Sequence, residues 1–269
     1  MRGPALRRLI LIVPLLLLPL ASSAAQRRRG LELTVATDHV WRGLTRAGAT
    51  TLQPAGWVEV PLARTGIRAE AGAWLAAYTH DSQLLKPRFA RWRLREANFW
   101  LQGTGTAAAG VDASAGVLHY EYLGPAARTT EVYAQLATGS GRLALGPLPL
   151  DARAAAFWDV GSAPGGYLEA EAGVGVPILP VATLLLSVEA GASVGRPATP
   201  ASNPGLRRFT GGNGLTHVDA SASLTPALSR ACSAFLSLHR QWAIDPAARG
   251  NWWWEMGLSR VFGSPWSKP

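Results

Sequence analysis

Two glutamates at alternate positions are the first residues of this sequence whose spacing could do chemistry. Glu169 and Glu171 flank Ala170, so in an extended strand both carboxylates point to the same face. Asp159 would lie across a predicted hairpin from them. Clustered carboxylate oxygens can bind a hard cation such as Ca²⁺, but they can also form a negatively charged lining without a metal. We expect a lining here and predict no metal site.

Ser237 and His239 form a second candidate pair, of the kind that enzymes with a serine nucleophile use. Their spacing also places both side chains on one face of a strand, beside Gln241. Such an enzyme further needs an acid that orients the histidine, and the sequence assigns none clearly. We therefore expect His239 to be a polar interior residue, and we predict no catalytic residue.

Cofactor motifs are weak in this sequence. Cys232 is the single cysteine, which excludes an internal disulfide and any zinc site built on cysteine spacing. The glycine-rich segments 139–141 and 211–214 lack the following lysine of a phosphate-binding loop, so they predict turns. The sequence thus predicts no cofactor.

The elements that would position these residues are strands, because polar residues alternate with small apolar residues along most of the chain. Most of the predicted strands are near the roughly 9–11 residues that a tilted strand needs to cross a bilayer. The twelve predicted strands are Leu31 to Gly43, Leu52 to Leu62, Ile67 to Tyr78, Glu96 to Gln102, Val111 to Tyr122, Thr129 to Ala137, Ala152 to Val160, Tyr167 to Val176, Thr183 to Val194, His217 to Leu224, Cys232 to Ala243 and Asn251 to Phe262.

The two faces of these strands differ from the faces of a soluble sheet. One face carries small or aliphatic residues and the other carries carboxylates, which fits a barrel with lipid outside and a polar lumen inside. The predicted fold class is therefore all-β, an antiparallel up-and-down transmembrane β-barrel of about twelve strands. The predicted lumen-lining residues are Glu70, Glu96, Asp112, Glu131, Asp159, Glu169, Glu171, Glu189, Asp219, Glu255, Arg68 and Arg153.

An export signal precedes the strands. Arg2, Arg7 and Arg8 come before the apolar run Leu9 to Leu20, and small residues follow up to Ala25. This order is typical of a cleaved secretory signal. An uncleaved anchor is less favoured, since the apolar run is shorter than the about 20 residues that span a bilayer. We predict a signal peptide over residues 1–25 and an outer-membrane β-barrel over residues 26–269, located in the bacterial outer membrane.

The connections between the strands predict an orientation. Outer-membrane barrels have short periplasmic turns and longer external loops. With a periplasmic N-terminus, the two longest predicted connections, Thr79 to Arg95 and Gly195 to Thr216, both fall outside the cell. The segment Thr138 to Asp151 is long for a periplasmic turn, and Leu143 to Leu150 within it could extend a strand.

The charge distribution indicates the partners. The formal net charge is +9, and the three arginines of the signal leave 9 − 3 = +6 for the remaining chain. Acids concentrate on the predicted inward face, whereas lysines and arginines concentrate in the predicted external loops. We expect these loop cations to contact the phosphates of outer-membrane lipid and lipopolysaccharide. We do not expect nucleic-acid binding.

Several motifs follow one another in an order found in a known family. These motifs are Thr37 to Gly43 (TDHVWRG, placed on the first strand), Gly116 to Tyr122, Thr129 to Ala134, Phe157 to Val160 and Gly166 to Glu169. Together they resemble a family of uncharacterised bacterial outer-membrane β-barrels, described as conserved hypothetical proteins or candidate porins. His39 stands where the family usually has a tyrosine, and the tail beyond Phe262 also departs from the pattern. The resemblance implies an outer-membrane barrel and no particular substrate or reaction.

The expected function is that of a porin or narrow channel for small polar or cationic solutes, because carboxylates that line a pore favour cations. A barrel of this size lies between small filled barrels and large open porins, so we expect a narrow or partly filled pore. The alternatives are a non-conducting structural or adhesive barrel and, less favoured, a lipid-modifying enzyme that uses Ser237 and His239. A soluble β-sandwich is the alternative fold.

Overall fold

The computed structural model of the chain describes residues 27–42, 44–47, 49–62, 65–79, 92–123, 127–138, 143–145, 148–161, 165–196, 212–246, 248 and 250–262. The strands of this part are β1 (Arg28–Ala36), β2 (His39–Trp41), β3 (Leu44–Ala47), β4 (Thr51–Pro61), β5 (Arg68–Thr79), β6 (Trp92–Ala108), β7 (Val111–Tyr122), β8 (Ala127–Thr138), β9 (Leu143–Leu145), β10 (Leu148–Asp159), β11 (Gly165–Leu179), β12 (Ala182–Arg196), β13 (Gly212–Pro226), β14 (Cys232–Ala243) and β15 (Asn251–Phe262).

Twelve of these strands close into an antiparallel barrel. Each strand pairs with its neighbour along the chain, and β1 pairs with β15 through eight residue pairs from Arg29 and Phe262 to Ala36 and Glu255. β2 and β3 form a separate hairpin, and β9 pairs only with the start of β10. The predicted fold class, a barrel of about twelve antiparallel strands, is confirmed.

The alternation predicted from the sequence separates an apolar outer wall from an inner wall. In β15, Trp252, Met256 and Leu258 are exposed, and Leu258 keeps 57% of its surface accessible. The residues between them, such as Trp253 and Glu255, are half-buried on the inner wall and contact His239 of the neighbouring strand β14. An exposed apolar girdle of this kind is what lipid contact requires.

The observed strands differ from the predicted ones mainly at β1. The predicted first strand ran to Gly43, but β1 ends at Ala36, and the chain then folds back through β2 and β3. The TDHVWRG motif therefore does not lie on a membrane-crossing strand, and its placement there is wrong. Most other bounds shift by a few residues, and β14 and β15 begin and end where the alternation places them.

The two ends of the barrel carry connections of different length. One end, called the loop end, carries the connections 37–50, 80–91, 123–126, 160–164, 197–211 and 244–250. The opposite end, called the turn end, carries the connections 62–67, 109–110, 139–147, 180–181 and 227–231. The two long predicted loops belong to the loop end, and their central parts, 80–91 and 197–211, lie outside the described residues. The predicted signal peptide, residues 1–25, also lies outside them.

No helix in the described part of the chain is long and apolar enough to cross a bilayer.

Large rings of the inner wall lie directly over glycines of the neighbouring strand. The Trp57 ring on β4 covers Gly30 of β1, and the Trp100 ring on β6 covers Gly72 of β5. A methyl group at either glycine would overlap the ring that lies on it. These glycines are thus needed for close approach, which allows an indole to lie flat against the wall.

We predict that Gly72→Ala destabilises the barrel, because the new methyl group would force the Trp100 ring from its place. Overpacking of this kind costs about 1–3 kcal/mol. The control is Gly103→Ala on β6, where an added Cβ would meet its nearest atom, in Ile67, at 3.6 Å. Unfolding by urea in detergent micelles measures both variants, and equal stability of the two would contradict the packing argument.

Candidate functional site

The connection between β1 and β4 folds into the barrel rather than over its rim. Its hairpin pairs Trp41 with Leu44, and Arg42 at the turn has a φ of 47°. His39, Arg42 and Leu44 are all buried. A left-handed conformation costs a residue other than glycine about 1 kcal/mol, so contacts elsewhere must hold Arg42 in it. We call residues 37–47 the inner hairpin.

Arg42 is held by a carboxylate and two aromatic rings of the opposite wall. Its Nη1 and Nη2 each donate a hydrogen bond of 2.7 Å to one oxygen of Glu131 on β8. The guanidinium carbon lies 3.9 Å from the ring centre of Phe157 and 4.8 Å from that of Tyr167. Since these partners lie on β8, β10 and β11, the hairpin tip reaches the inner wall of the barrel.

The charge of Arg42 is secured by its surroundings. Glu131 is 1% exposed and also accepts a 3.0 Å hydrogen bond from the hydroxyl of Tyr120. Burial opposes the charged form of Arg42, but the Glu131 carboxylate, which accepts both guanidinium hydrogen bonds, more than offsets it, so the pKa of the guanidinium is raised. A bidentate, buried pair of this kind is stable only as a pair, because either partner alone would be a buried uncompensated charge.

The base of the inner hairpin is attached to a different part of the wall. His39 Nε2 lies 3.1 Å from Glu96 Oε2 on β6, and Asn98 donates to the other oxygen of Glu96. The His39 ring packs 5.2 Å from the Trp74 ring on β5. Asp38 accepts a 2.9 Å hydrogen bond from Asn251 on β15. The hairpin therefore spans the interior from β5, β6 and β15 to β8, β10 and β11.

A cavity of about 360 Å³ lies beside the inner hairpin, and we call it the chamber. The residues that line the chamber are Val40, Arg42, Leu118, Tyr120, Arg153, Phe157, Glu169, Glu189, His217, Asp219, His239, Gln241 and Trp253. Two of them come from the hairpin and the others from β7 and β10 to β15. The chamber thus brings together four of the predicted lumen-lining residues, Arg153, Glu169, Glu189 and Asp219.

Arg153 is surrounded by carboxylates of β11 and β12. Its Nη2 forms an ion pair with Glu169 and lies 3.2 Å from Glu171 Oε2 and 3.3 Å from Glu189 Oε2. His217 Nε2 lies 3.6 Å from the other oxygen of Glu189. One guanidinium therefore serves three carboxylates, and it lies along the wall rather than across the lumen.

Three carboxylates stand in one row across neighbouring strands. Glu171 on β11 is directly opposite Glu189 on β12, and Glu189 is directly opposite Asp219 on β13. Like charges placed opposite each other destabilise a sheet. The fold thus accepts an unfavourable arrangement here, and Arg153 at one end of the row compensates only part of it. We call these three residues the carboxylate row.

His239 lies at the other end of the row. Its Nδ1 is 3.3 Å from Asp219 Oδ1, and its Nε2 is 3.5 Å from Glu255 Oε1. The ring stacks on Trp253 at 4.6 Å between ring centres. The sequence offered no acid for this histidine, and the structure supplies two. Ser237 does not join them, because its hydroxyl is 2.7 Å from the hydroxyl of Ser223.

The remaining predicted lining residues pair along the wall toward the turn end. Arg68 lies 3.4 Å from Asp112 and 3.8 Å from Glu59, which also contacts Arg28 at 3.5 Å. Glu70 accepts hydrogen bonds from the Trp100 indole and the Gln102 amide. These groups are satisfied by their neighbours and do not cross the interior.

The predicted grouping of Asp159 with Glu169 and Glu171 is wrong. Asp159 is opposite Gly165, whereas Glu169 is opposite Ala155, so about four residues or roughly 13 Å separate the two carboxylates along the strand. Asp159 instead accepts hydrogen bonds from the Thr129 hydroxyl and the Gly161 amide near the loop end. Glu189 takes its place beside Glu169 and Glu171. Among the described residues no group of three ligands suited to a metal ion occurs.

Arg42 and His39 are the functional candidates that sequence reasoning missed. Both belong to the TDHVWRG motif, which the alternation extended onto β1. A partial signal was present in Gly43, because glycine is favoured in two-residue hairpin turns, although Arg-Gly is not one of the preferred pairs. Thr37-Asp38 likewise marks a break after a strand.

Comparison with known proteins bears on the fold. No protein-family model and no curated protein matches the chain. An outer-membrane channel from Pseudomonas putida F1 is similar in structure, with a TM-score of 0.53 at 12% identity over 90% of this chain and 97% of that one. The chain has the fold of a bacterial outer-membrane β-barrel. At this identity the likeness extends to the fold alone.

Two weaker likenesses belong to the same class of membrane barrel. The translocator domain of the autotransporter NalP from Neisseria meningitidis has a TM-score of 0.47 at 10% identity, over 96% of this chain and 95% of that one. The NanC porin has a TM-score of 0.48 at 8% identity, over 87% of this chain and 100% of that one. The closed barrel with its apolar outer wall is located in the bacterial outer membrane, as predicted.

We predict that Glu131→Ala and Arg42→Ala each destabilise the barrel by about 3 kcal/mol, because each leaves a buried charge without its partner. The double variant should lose less than the sum of the single losses, since neither charge then remains. Urea unfolding in detergent micelles measures this cycle. Glu121→Ala is the control, because Glu121 is on the same barrel but partly exposed beside His119. Additive losses would show that the pair contributes no coupling.

Proposed function

We propose that the protein is a narrow channel for small polar solutes and that it prefers cations. The carboxylate row carries this proposal. Glu169 lies beside the row, so Glu169, Glu171 and Glu189 share the one guanidinium of Arg153. Asp219 contacts the imidazole of His239, and Arg42 is already matched by Glu131. The balance of charge beside the chamber is therefore negative, and rings of carboxylates favour cations in a pore.

The orientation and processing of the chain form part of the same proposal. The loop end carries the longer connections, which in outer-membrane barrels face the outside. A solute would then enter past the inner hairpin and meet the chamber before the turn end. We also propose that residues 1–25 are removed on export and that the chain belongs to the barrel family that its motifs resemble.

The inner hairpin argues against a wide, unselective pore in this barrel. It spans the interior between two parts of the wall and is fixed by the contact of His39 with Glu96 at one attachment and by the ion pair of Arg42 with Glu131 at the other. The same observation favours one competing function, a non-conducting barrel whose interior the hairpin fills. The lipid-modifying alternative has weaker support, because Ser237 is buried in the inner wall and bonded to Ser223 rather than to His239.

We predict that purified protein shows discrete conductance in planar bilayers, with reversal potentials that indicate cation preference. Glu169→Gln combined with Glu171→Gln should shift the reversal potential in a salt gradient toward the nonselective value, because two of the four carboxylates lose their charge. Glu189 remains to pair with Arg153 in this variant. Glu121→Gln, outside the lumen, should leave selectivity unchanged. Complete absence of conductance would contradict the channel proposal.

Release of the inner hairpin should widen the pore. We predict that His39→Ala combined with Arg42→Ala raises single-channel conductance several-fold, because the hairpin loses its contacts with Glu96 on one side and with Glu131 on the other. Thermal unfolding in detergent confirms that the variant barrel remains closed. A conductance equal to that of the wild type would show that the hairpin does not limit the pore. A variant that conducts while the wild type does not would favour the filled, non-conducting barrel.

A further inference from the structure

Arg240 is a charged residue on the lipid-facing wall of the barrel. It shares the outward phase of β14 with Leu236, Leu238 and Trp242, all of which are exposed. The inward phase of the same strand carries Ser237 and Gln241, which are buried. The Arg240 side chain therefore leaves the strand on the lipid-facing side, where a charge is unfavourable unless another group compensates it.

Two tryptophans hold the guanidinium of Arg240. Its central carbon lies 5.6 Å from the ring centre of Trp242 and 5.3 Å from that of Trp252. Trp252 is directly opposite Arg240 in the ladder between β14 and β15. Cation–π contacts with both rings fix the direction of the side chain. They leave the five N–H donors of the guanidinium available.

No carboxylate in the described part of the chain forms an ion pair with Arg240. The residue stands three positions before the end of β14 at Ala243, and Trp252 is the second residue of β15. The group thus lies near the loop end, at the depth of a membrane interface rather than the bilayer centre. Tryptophans at this depth are typical of interfacial belts, and a long cationic side chain can extend from there to the headgroups.

The unmatched donors suit a phosphate group. A guanidinium forms parallel hydrogen bonds to a phosphate, and such charge-assisted bonds are stronger than neutral ones. The lipid outside the loop end, in the orientation proposed above, is the phosphorylated lipid of the outer leaflet. We propose that Arg240, Trp242 and Trp252 form a binding site for a phosphate of lipopolysaccharide. This site is independent of the channel and rests on the proposed orientation alone.

Arg260 provides a matched control within the same barrel. It also stands on the outward phase, on β15, but near the turn end, and it contacts a single ring, that of Phe262, at 4.7 Å. Its guanidinium is therefore held on one side only and faces the other leaflet. A site built from one arginine between two tryptophans should bind a phosphorylated lipid more tightly than this arrangement.

The test uses the complete barrel in detergent with lipid A as the probe. Dissociation constants come from native mass spectrometry, with lipid A carrying two phosphates, dephosphorylated lipid A and phosphatidylglycerol as the three ligands. Arg240→Gln should weaken binding of phosphorylated lipid A about tenfold, the effect expected for losing a charge-assisted hydrogen-bonded contact. Arg260→Gln should keep the affinity of the wild type, and Arg240→Lys should fall between wild type and Arg240→Gln.

Three results would overturn the proposal. The first is equal affinity of Arg240→Gln and the wild type for phosphorylated lipid A. The second is that the wild type binds dephosphorylated lipid A as tightly as phosphorylated lipid A. The third is that the wild type binds phosphatidylglycerol as tightly as phosphorylated lipid A. Conductance of Arg240→Gln should match that of the wild type, so loss of the lipid site is separated from failure of the channel proposal. Unchanged heat-modifiable migration on gels confirms that each variant remains folded.

Discussion

Closure of the hydrogen-bonded ladder is the constraint on which the rest of this structure depends. Within hydrocarbon, an open sheet edge would leave backbone groups without partners, so the pairing of β1 with β15 is indispensable. Closure also divides every strand into an outward phase that must be mostly apolar where it meets hydrocarbon and an inward phase that need not be. The inward phase is then free to carry charge, which is why so many carboxylates sit within a membrane-spanning element.

The inner wall has to satisfy those charges within a confined space. Most of these charged groups have partners along the wall. Arg68 forms an ion pair with Asp112, and Glu70 accepts a hydrogen bond from the Trp100 indole. The inner hairpin contributes two further partners, Arg42 for Glu131 and His39 for Glu96. In the part of the chain that the structure describes, the carboxylate row keeps an excess of like charge that Arg153 balances only in part. Because like charges that face each other destabilise a sheet, stability does not explain why the row is acidic. Residues that break such a rule are expected at functional sites, and this row lies beside the chamber.

The sequence predicts the strands well because their periodicity is set by the membrane itself. β14 and β15 begin and end where the alternation does, since lipid on one side penalises any shift by one residue. β1 could not be bounded in this way. His39 to Trp41 is extended and alternates like a strand, yet it turns back inside the barrel. The inward path of this segment depends on the pairing of Arg42 with Glu131. These two residues are 89 positions apart in the chain, and no local sequence pattern reveals that they pair. Asp159 was misplaced for a related reason, because the hairpin register that separates it from Glu169 depends on where β11 begins.

Arginines show how position rather than residue type decides what a charge does in a barrel. Arg42 has its donors directed at a buried carboxylate, so its charge is used within the chain and holds the inner hairpin. Arg153 is shared among three carboxylates and tempers their repulsion. Arg240 has only the faces of two tryptophans, which orient the guanidinium without using its hydrogen-bond donors. Because a lipid-facing charge with unused donors is unfavourable, the feature that compensates Arg240 has to come from the surrounding interface, whereas the compensation for Arg42 and Arg153 is already encoded in the strands that face them.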